Sequence, residues 1–359
     1  MRPRPGADAE ARRRGALLAL PLLALPLVAL TFVALLVLTA SGVRAAEERR
    51  TSIGHAAMQP RVAPLWVAAD QRLFAQEGVH AAVVLIASAP VLVASLTARE
   101  LQLGYTGGTA VLAAVAGGVP MRMVAAFTSR LAFDFVARPG ITRPEDLRGK
   151  RVGIQTFGGP IFMGVLLALE HLGLDPVRDR IHVQPIGGQP QLVQALQAGA
   201  IDATVMDGVF SRRLKALGYP ILAELHKANI PFTGEGVVAL KSTIEQSPQL
   251  IERILRALVR AVAFIEHPGN REAVVQILVR RLRVESPRLA EEGYQDLLQV
   301  LERQPYPSAE GLRNMRRLLA RQNPRAATIP VEEVVETRFL RKLDESGFID
   351  ALYAPTRGR

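Results

Sequence analysis

Leu101-Gln-Leu-Gly-Tyr-Thr-Gly-Gly-Thr109 runs an apolar, strand-like stretch straight into a glycine pair, and a helical pattern follows over 110–116. The device returns in Val152-Gly-Ile-Gln-Thr-Phe-Gly-Gly159 and in Ile181-His-Val-Gln-Pro-Ile-Gly-Gly188. A helix start carries backbone N–H groups without intrahelical partners, and a partial positive charge. Glycine there lets a ligand approach the backbone, which suits capture of small polar or anionic molecules at strand ends. Short strand-to-helix loops also take glycine for geometry alone. Pattern by itself leaves both readings open.

Outward from these stretches, strand alternates with helix. Strands are expected over 81–87, 101–105, 121–126, 133–137, 151–155, 181–185 and 203–206, and helices over 61–76, 90–98, 110–116, 161–172 and 189–198. That alternation argues an α/β fold with mainly parallel, helix-covered sheets. Beyond Lys241 the pattern is almost wholly helical, with Ser247-Pro248 and Ser308-Ala-Glu310 as starts and Gly347 as a stop. A helical tail without a sheet must pack back onto a lobe. The expected division is lobe one from 50–135 plus 238–359, and lobe two from 136–237. Two crossings then join the lobes, and Thr233-Gly-Glu-Gly236 suits a hinge or a plain loop there.

Composition narrows the function. The chain has 359 residues, enough for two cores, and no cysteine. A disulfide framework, a thiolate metal site, a cysteine nucleophile and a lipidated N-terminal cysteine are all excluded. The six histidines are scattered without paired spacing, so neither a metal nor another cofactor is expected. Of the formal charge of +11, residues 1–45 hold +4, from six Arg against Asp8 and Glu10. The rest spreads over the C-terminal helical patterns without interleaved aromatics, which argues against a nucleic-acid partner.

Residues 1–14 are Arg-rich, 16–40 are almost entirely apolar, and Val43 and Ala45 fit a small-x-small cleavage rule. Residues 1–45 therefore read as an export signal, long enough to serve alternatively as an uncleaved anchor. Either way the expected location of the body is periplasmic.

Further stretches are Pro64-Leu-Trp-Val-Ala-Ala-Asp-Gln-Arg-Leu-Phe-Ala-Gln-Glu-Gly78, Asp146-Leu-Arg-Gly-Lys-Arg-Val-Gly153, Ala195-Leu-Gln-Ala-Gly-Ala-Ile-Asp-Ala203 and Leu340-Arg-Lys-Leu-Asp-Glu-Ser-Gly-Phe-Ile-Asp350. With Gly104-Tyr-Thr-Gly-Gly-Thr109 they make the chain resemble the solute-binding proteins of nitrate/sulfonate/taurine-type ABC importers. That superfamily includes thiamine-precursor binders. The resemblance runs over about 53–353. It implies a two-lobed periplasmic-binding-protein-like fold of type II, a ligand cleft between the lobes, and a helical C-terminal segment packed on lobe one. It implies a small-molecule solute, a membrane ABC permease with its cytoplasmic ATPase as partner, hinge closure on the solute, and a monomer. The cysteine-rich motif of the yeast-type pyrimidine synthases is absent, which argues against their self-consuming chemistry.

In such a fold the cleft is lined by loops at strand C-termini. The candidates are Thr106, Gly107, Gly108 and Thr109 from lobe one, and Thr156, Phe157, Gly158 and Gly159 from lobe two. Gly187-Gly188 is a weaker candidate, because the resemblance implies helix packing there. Asp207 stands after a strand, either in the cleft or as a helix cap. Glu235 reaches the cleft or faces water. Trp66, the single tryptophan, belongs to the core or the cleft. Glycines and threonines suit an oxyanion, whereas Asp207 and Glu235 suit an amine or a ring N–H. No Arg or Lys falls inside a predicted cleft loop. A small organic solute with a polar end fits this mixture. The rival readings are an enzyme of the same fold acting on a small anionic metabolite, with Asp207 as acid–base group, and a ligand-sensing subunit of a membrane receptor.

Overall fold

Short β-branched and apolar runs become strands, and the computed structural model, which describes residues 50–284, 286–321 and 323–354, contains ten of them among those residues. In chain order they are β1 (Thr51–His55), β2 (Ala81–Leu85), β3 (Leu103–Gly107), β4 (Met121–Met123), β5 (Asp134–Ala137), β6 (Arg151–Ile154), β7 (His182–Pro185), β8 (Ala203–Met206), β9 (Ile221–Glu224) and β10 (Glu235–Leu240). The helices that follow the early strands are α1 (Ala63–Asp70), α2 (Leu73–Gln76), α3 (Ala89–Thr97), α4 (Gly108–Ala116), α5 (Pro160–His171), α6 (Gln189–Gln197) and α7 (Gly208–Ala216). The C-terminal helices are α8 (Lys241–Gln246), α9 (Pro248–Glu266), α10 (Arg271–Leu282), α11 (Pro287–Leu298), α12 (Ala309–Ala320), α13 (Arg338–Glu345) and α14 (Phe348–Ala351). Proline opens α3, α5, α6, α9 and α11 within their first two positions, where its missing N–H costs nothing.

Two sheets of five strands result, ordered β2-β1-β3-β10-β4 and β7-β6-β8-β5-β9. In each, four strands run the same way and one runs against them, β10 in the first sheet and β5 in the second. The chain leaves the first sheet after β4, builds the second from β5 to β9, and returns as β10. This is the α/β, two-lobed arrangement with a cleft between lobes, and the parallel strands of both sheets end in helix starts.

Three strands lie outside the expected set: β1, β9 and β10. Thr51-Ser-Ile-Gly-His is short and partly polar, and its strand character comes from parallel pairing on both sides. β10 begins at Glu235, inside the stretch read as a hinge or loop, because Gly236 must pass close to a neighbouring backbone. A Cβ there would lie 1.9 Å from the Ala125 carbonyl oxygen. Gly236→Ala is therefore expected to cost on the order of 3 kcal/mol through forced backbone displacement. Thermal unfolding reads this directly, and a Tm equal to the parent's would refute the tight approach.

The core has two parts. Trp66, Leu65, Val67, Phe74, Leu103, Tyr105 and the apolar face of α9 form one, beneath the first sheet. The other runs from α3 and α4 through Phe133, Phe135 and α5 to Leu312 and Met315 of α12, so it is continuous across both sheets. The helical C-terminal segment packs on lobe one and also reaches lobe two. Arg212 of α7 grips Glu292 and Asp296 of α11, and Arg317 and Arg321 reach Glu170 and Asp175. Ser308 caps α12 by accepting from the Gly311 N–H at 3.0 Å, and Gly347 ends α13 at φ +70°.

Among the described residues no helix is long and apolar enough to cross a membrane. The segment read as an export signal, 1–45, lies outside the described residues.

Candidate functional site

Two helix starts meet at the cleft. β3 delivers Thr106 and Gly107 to the start of α4, where Gly108 and Thr109 form the first turn. β6 leads through Thr156, Phe157 and Gly158 to Gly159 and the start of α5. A Cβ on Gly107 would sit 3.4 Å from the Pro160 ring, and one on Gly158 would sit 3.4 Å from the Ala113 Cβ. Gly158 has φ +75°, a backbone that other residues adopt at a cost. The two glycine pairs thus face each other from opposite lobes. The hydroxyls of Thr109 and Thr156 are buried without a hydrogen-bond partner. A buried, unpaired hydroxyl is costly, so a group that accepts or donates there is favoured on binding.

Glu235 joins the lobe-one side by strand register, standing opposite Gly107. Its N–H donates to the Thr128 hydroxyl at 3.0 Å. From its carboxylate a buried polar chain crosses to lobe two. Gln59 Nε2 donates to Glu235 Oε1 at 2.7 Å, and Arg61 Nη2 donates to Gln59 Oε1 at 2.9 Å. Arg61 Nη1 then meets Asp207 Oδ1 at 2.6 Å and the Ala132 carbonyl at 2.9 Å. Gln189 completes the chain, donating to Asp207 Oδ2 and accepting the Asp207 N–H at 3.0 Å. The Arg61 guanidinium also stacks 4.4 Å above the Phe133 ring. All five side chains are buried, Glu235 at 2 % and Asp207 at 3 % exposure.

Such burial is costly for charge, and the pKa directions follow. Burial raises Glu235 to about 7, against the pull of Arg61 and with a further push from Asp207. Burial also raises Asp207, although Arg61 draws it back. Tyr105 is pushed well above the usual phenol range by burial and by Glu235, and its hydroxyl reaches the Arg61 carbonyl at 3.3 Å.

The structure thus brings together Thr106, Gly107, Gly108, Thr109 and Glu235 on one side, and Thr156, Gly158, Gly159 and Asp207 on the other. Asp207 precedes α7, but its side chain makes no cap and turns to Arg61 and Gln189 instead. Phe157 is half exposed, edge-on to Phe162, and lines an apolar slot of about 200 Å³ with Pro90, Val93 and Ala113. Trp66 stands apart in the core beneath the first sheet, its indole N–H 3.4 Å from His55 Nε2. Burial lowers the His55 pKa, which keeps that nitrogen an acceptor.

Sequence reading missed Gln59, Arg61 and Gln189. No Arg or Lys falls inside the predicted cleft loops, and Arg61 reaches the chain of polar groups from outside them. It lies in a short 3-10 turn, Pro60–Val62, inside a stretch read as plain helix. Gln189 had a signal, because it directly follows Gly187-Gly188, the third glycine pair. No group of three or more His, Asp or Glu side chains is placed to hold a metal ion among the described residues.

The frame is two-lobed and α/β, with facing helix starts and a buried polar chain between the sheets. Residues 59–270 match the family described as NMT1/THI5 like, and the chain belongs to that family. The riboflavin-binding protein RibY of Chloroflexus aurantiacus is 26 % identical over 206 residues, which are 56 % of this chain and 58 % of that protein. The taurine-binding periplasmic protein of Escherichia coli K12 is 31 % identical over 114 residues, 31 % of this chain and 34 % of that protein. The matched stretches thus span about half or less of each curated relative. The alkanesulfonate-binding protein SsuA of Xanthomonas axonopodis pv. citri, bound to MOPS, shares the fold with a TM-score of 0.64 at 20 % identity, over 81 % of this chain and 99 % of that one.

Proposed function

We propose that this chain is the extracytoplasmic solute-binding component of an ABC importer. It takes a small organic solute between its lobes and closes on it. The closed form then presents the loaded protein to a membrane permease driven by a cytoplasmic ATPase. The lobes divide near residues 135 and 238, and the motion is a hinge at the two crossings between the sheets. The candidate contacts are Thr106–Thr109 and Glu235 from lobe one, with Thr156–Gly159 and Asp207 from lobe two. To these the cleft adds Gln59, Arg61 and Gln189.

The observation that supports this most strongly is the polar chain from Glu235 to Gln189. Its members come from both lobes and are all buried. A solute that inserts among such groups is shielded from water on closure, and it favours closure only through contacts made in that form. The named relatives bind riboflavin and taurine, and a structural neighbour holds an alkanesulfonate-type molecule, so these define the first panel.

The test is thermal unfolding of the chain with riboflavin, taurine, ethanesulfonate and nitrate in turn. A solute at a hundred times its Kd adds about 2.7 kcal/mol, a shift of several degrees. Small-angle scattering with the same solute is expected to show compaction. A solute that raises Tm while leaving the scattering curve unchanged would refute hinge closure.

A further inference from the structure

The buried polar chain of the cleft holds more negative charge than positive. Two carboxylates, Asp207 and Glu235, and one guanidinium, Arg61, lie on the polar chain, all buried. Arg61 gives its charge-assisted bond to Asp207 at 2.6 Å, which in return takes a second donor from Gln189. Glu235 has no cation in hydrogen-bond contact. Its side chain accepts from the Gln59 amide alone, and Gln59 is itself held by Arg61. The charged and titratable groups facing Glu235 are Arg61 from the 3-10 turn, Tyr105 from β3 and Asp207 between β8 and α7. Asp296 of α11 acts on Asp207 and is itself held by Arg212. Among these groups one positive charge serves two carboxylates. A buried carboxylate without a counter-charge must take up a proton or meet a cation.

We infer that Glu235 is the specificity-determining residue of the cleft, and that the group it selects is a protonated amine, alone or at one end of a zwitterion. This rests on the solute-capture reading above and names the chemistry of that same site. The amine sits where the carboxyl proton otherwise sits, and binding releases that proton to solvent. The facing starts of α4 and α5, with the unpaired hydroxyls of Thr109 and Thr156, remain to receive an acceptor or anionic end. Glu235 lies opposite Gly107 in the strand register, beside the α4 start that would receive the other end of a short zwitterion.

Matched pairs of probes test this: taurine against ethanesulfonate, and β-alanine against propionate. Within each pair the members differ by the ammonium group. The readout is the affinity of the full chain, by thermal shift and calorimetry, at pH 6, 7 and 8. The ammonium-bearing member is expected to bind at least tenfold more tightly at pH 8. Its affinity is expected to fall by about tenfold per pH unit below about 7, as the carboxyl proton competes. Glu235→Gln is expected to remove both the preference and its pH dependence. The inference is overturned if the ammonium-free member binds wild type as tightly at pH 8, or if Glu235→Gln keeps the preference. If no member of either pair binds a chain that is folded, the solute-capture reading fails, and this inference falls with it.

Discussion

Arg61→Met is expected to part the lobes before it unfolds the chain. Arg61 donates to Asp207, Gln59 and the Ala132 carbonyl and stacks on Phe133. Met keeps the aliphatic volume but removes every donor. Taking one partner from a buried ion pair costs about 3–5 kcal/mol, because the other charge is left stranded. Here the stranded charge is Asp207, carried by lobe two, while Arg61 is carried by lobe one. The molecule therefore has a cheaper escape than unfolding: it rehydrates Asp207 by opening. The loss in Tm is capped by the free energy of opening, and the rest appears as expansion in small-angle scattering without added solute. Arg61→Met with Asp207→Leu removes both charges and is expected to restore compactness, since apolar replacement of a buried pair is often neutral or stabilising. An Arg61→Met chain with the parent's scattering and the parent's Tm would show that the pair holds neither the fold nor the closed form.

The way these residues came to light separates what sequence carries from what it hides. Periodicity located β3, β6 and β8, and glycine pairs located the helix starts after β3 and β6, because those signals are local. Thr106–Thr109, Thr156–Gly159 and Asp207 all lie next to such signals. Arg61 does not. It sits in a stretch whose spacing reads as helix, and its role depends on Asp207, 146 residues away. Gln59 likewise gains its meaning only from Glu235, 176 residues away. Glu235 was legible as a residue at a crossing, but not as the first residue of β10, since two glycines beside it spoke for a loop. The reason Gly236 belongs in a strand is the Ala125 carbonyl pressed against it, a tertiary fact with no trace in local pattern. Trp66 shows the converse. Its spacing with Val67, Leu73 and Phe74 allowed a core residue, and the described contacts are those of one.

Glu235→Gln is expected to make the chain more stable at pH 8 and to leave it nearly unchanged at pH 5. Burial, reinforced by Asp207, raises Glu235 from 4.5 to about 7, so between those values the folded chain holds a proton that the unfolded chain has released. The sign follows from linkage: stability falls with pH wherever the folded state binds more protons. The contribution of Glu235 is fully present below its ordinary pKa, is lost as pH rises through about 7, and is absent by pH 8. A rise from 4.5 to about 7 corresponds to about 3 kcal/mol at the alkaline end. Glutamine keeps an oxygen to accept from Gln59 and carries no charge, so it avoids the alkaline penalty without breaking the chain to Arg61. Asp207, also raised by burial, stays in the variant and retains part of the slope at lower pH. The measurement is Tm of both proteins from pH 5 to 8, without added solute. The two curves are expected to converge on the acid side and to separate by several degrees at pH 8, with the variant above. Parallel curves would mean that Glu235 stays ionised in the closed cleft, with water or lobe opening supplying the hydration that the closed structure denies it.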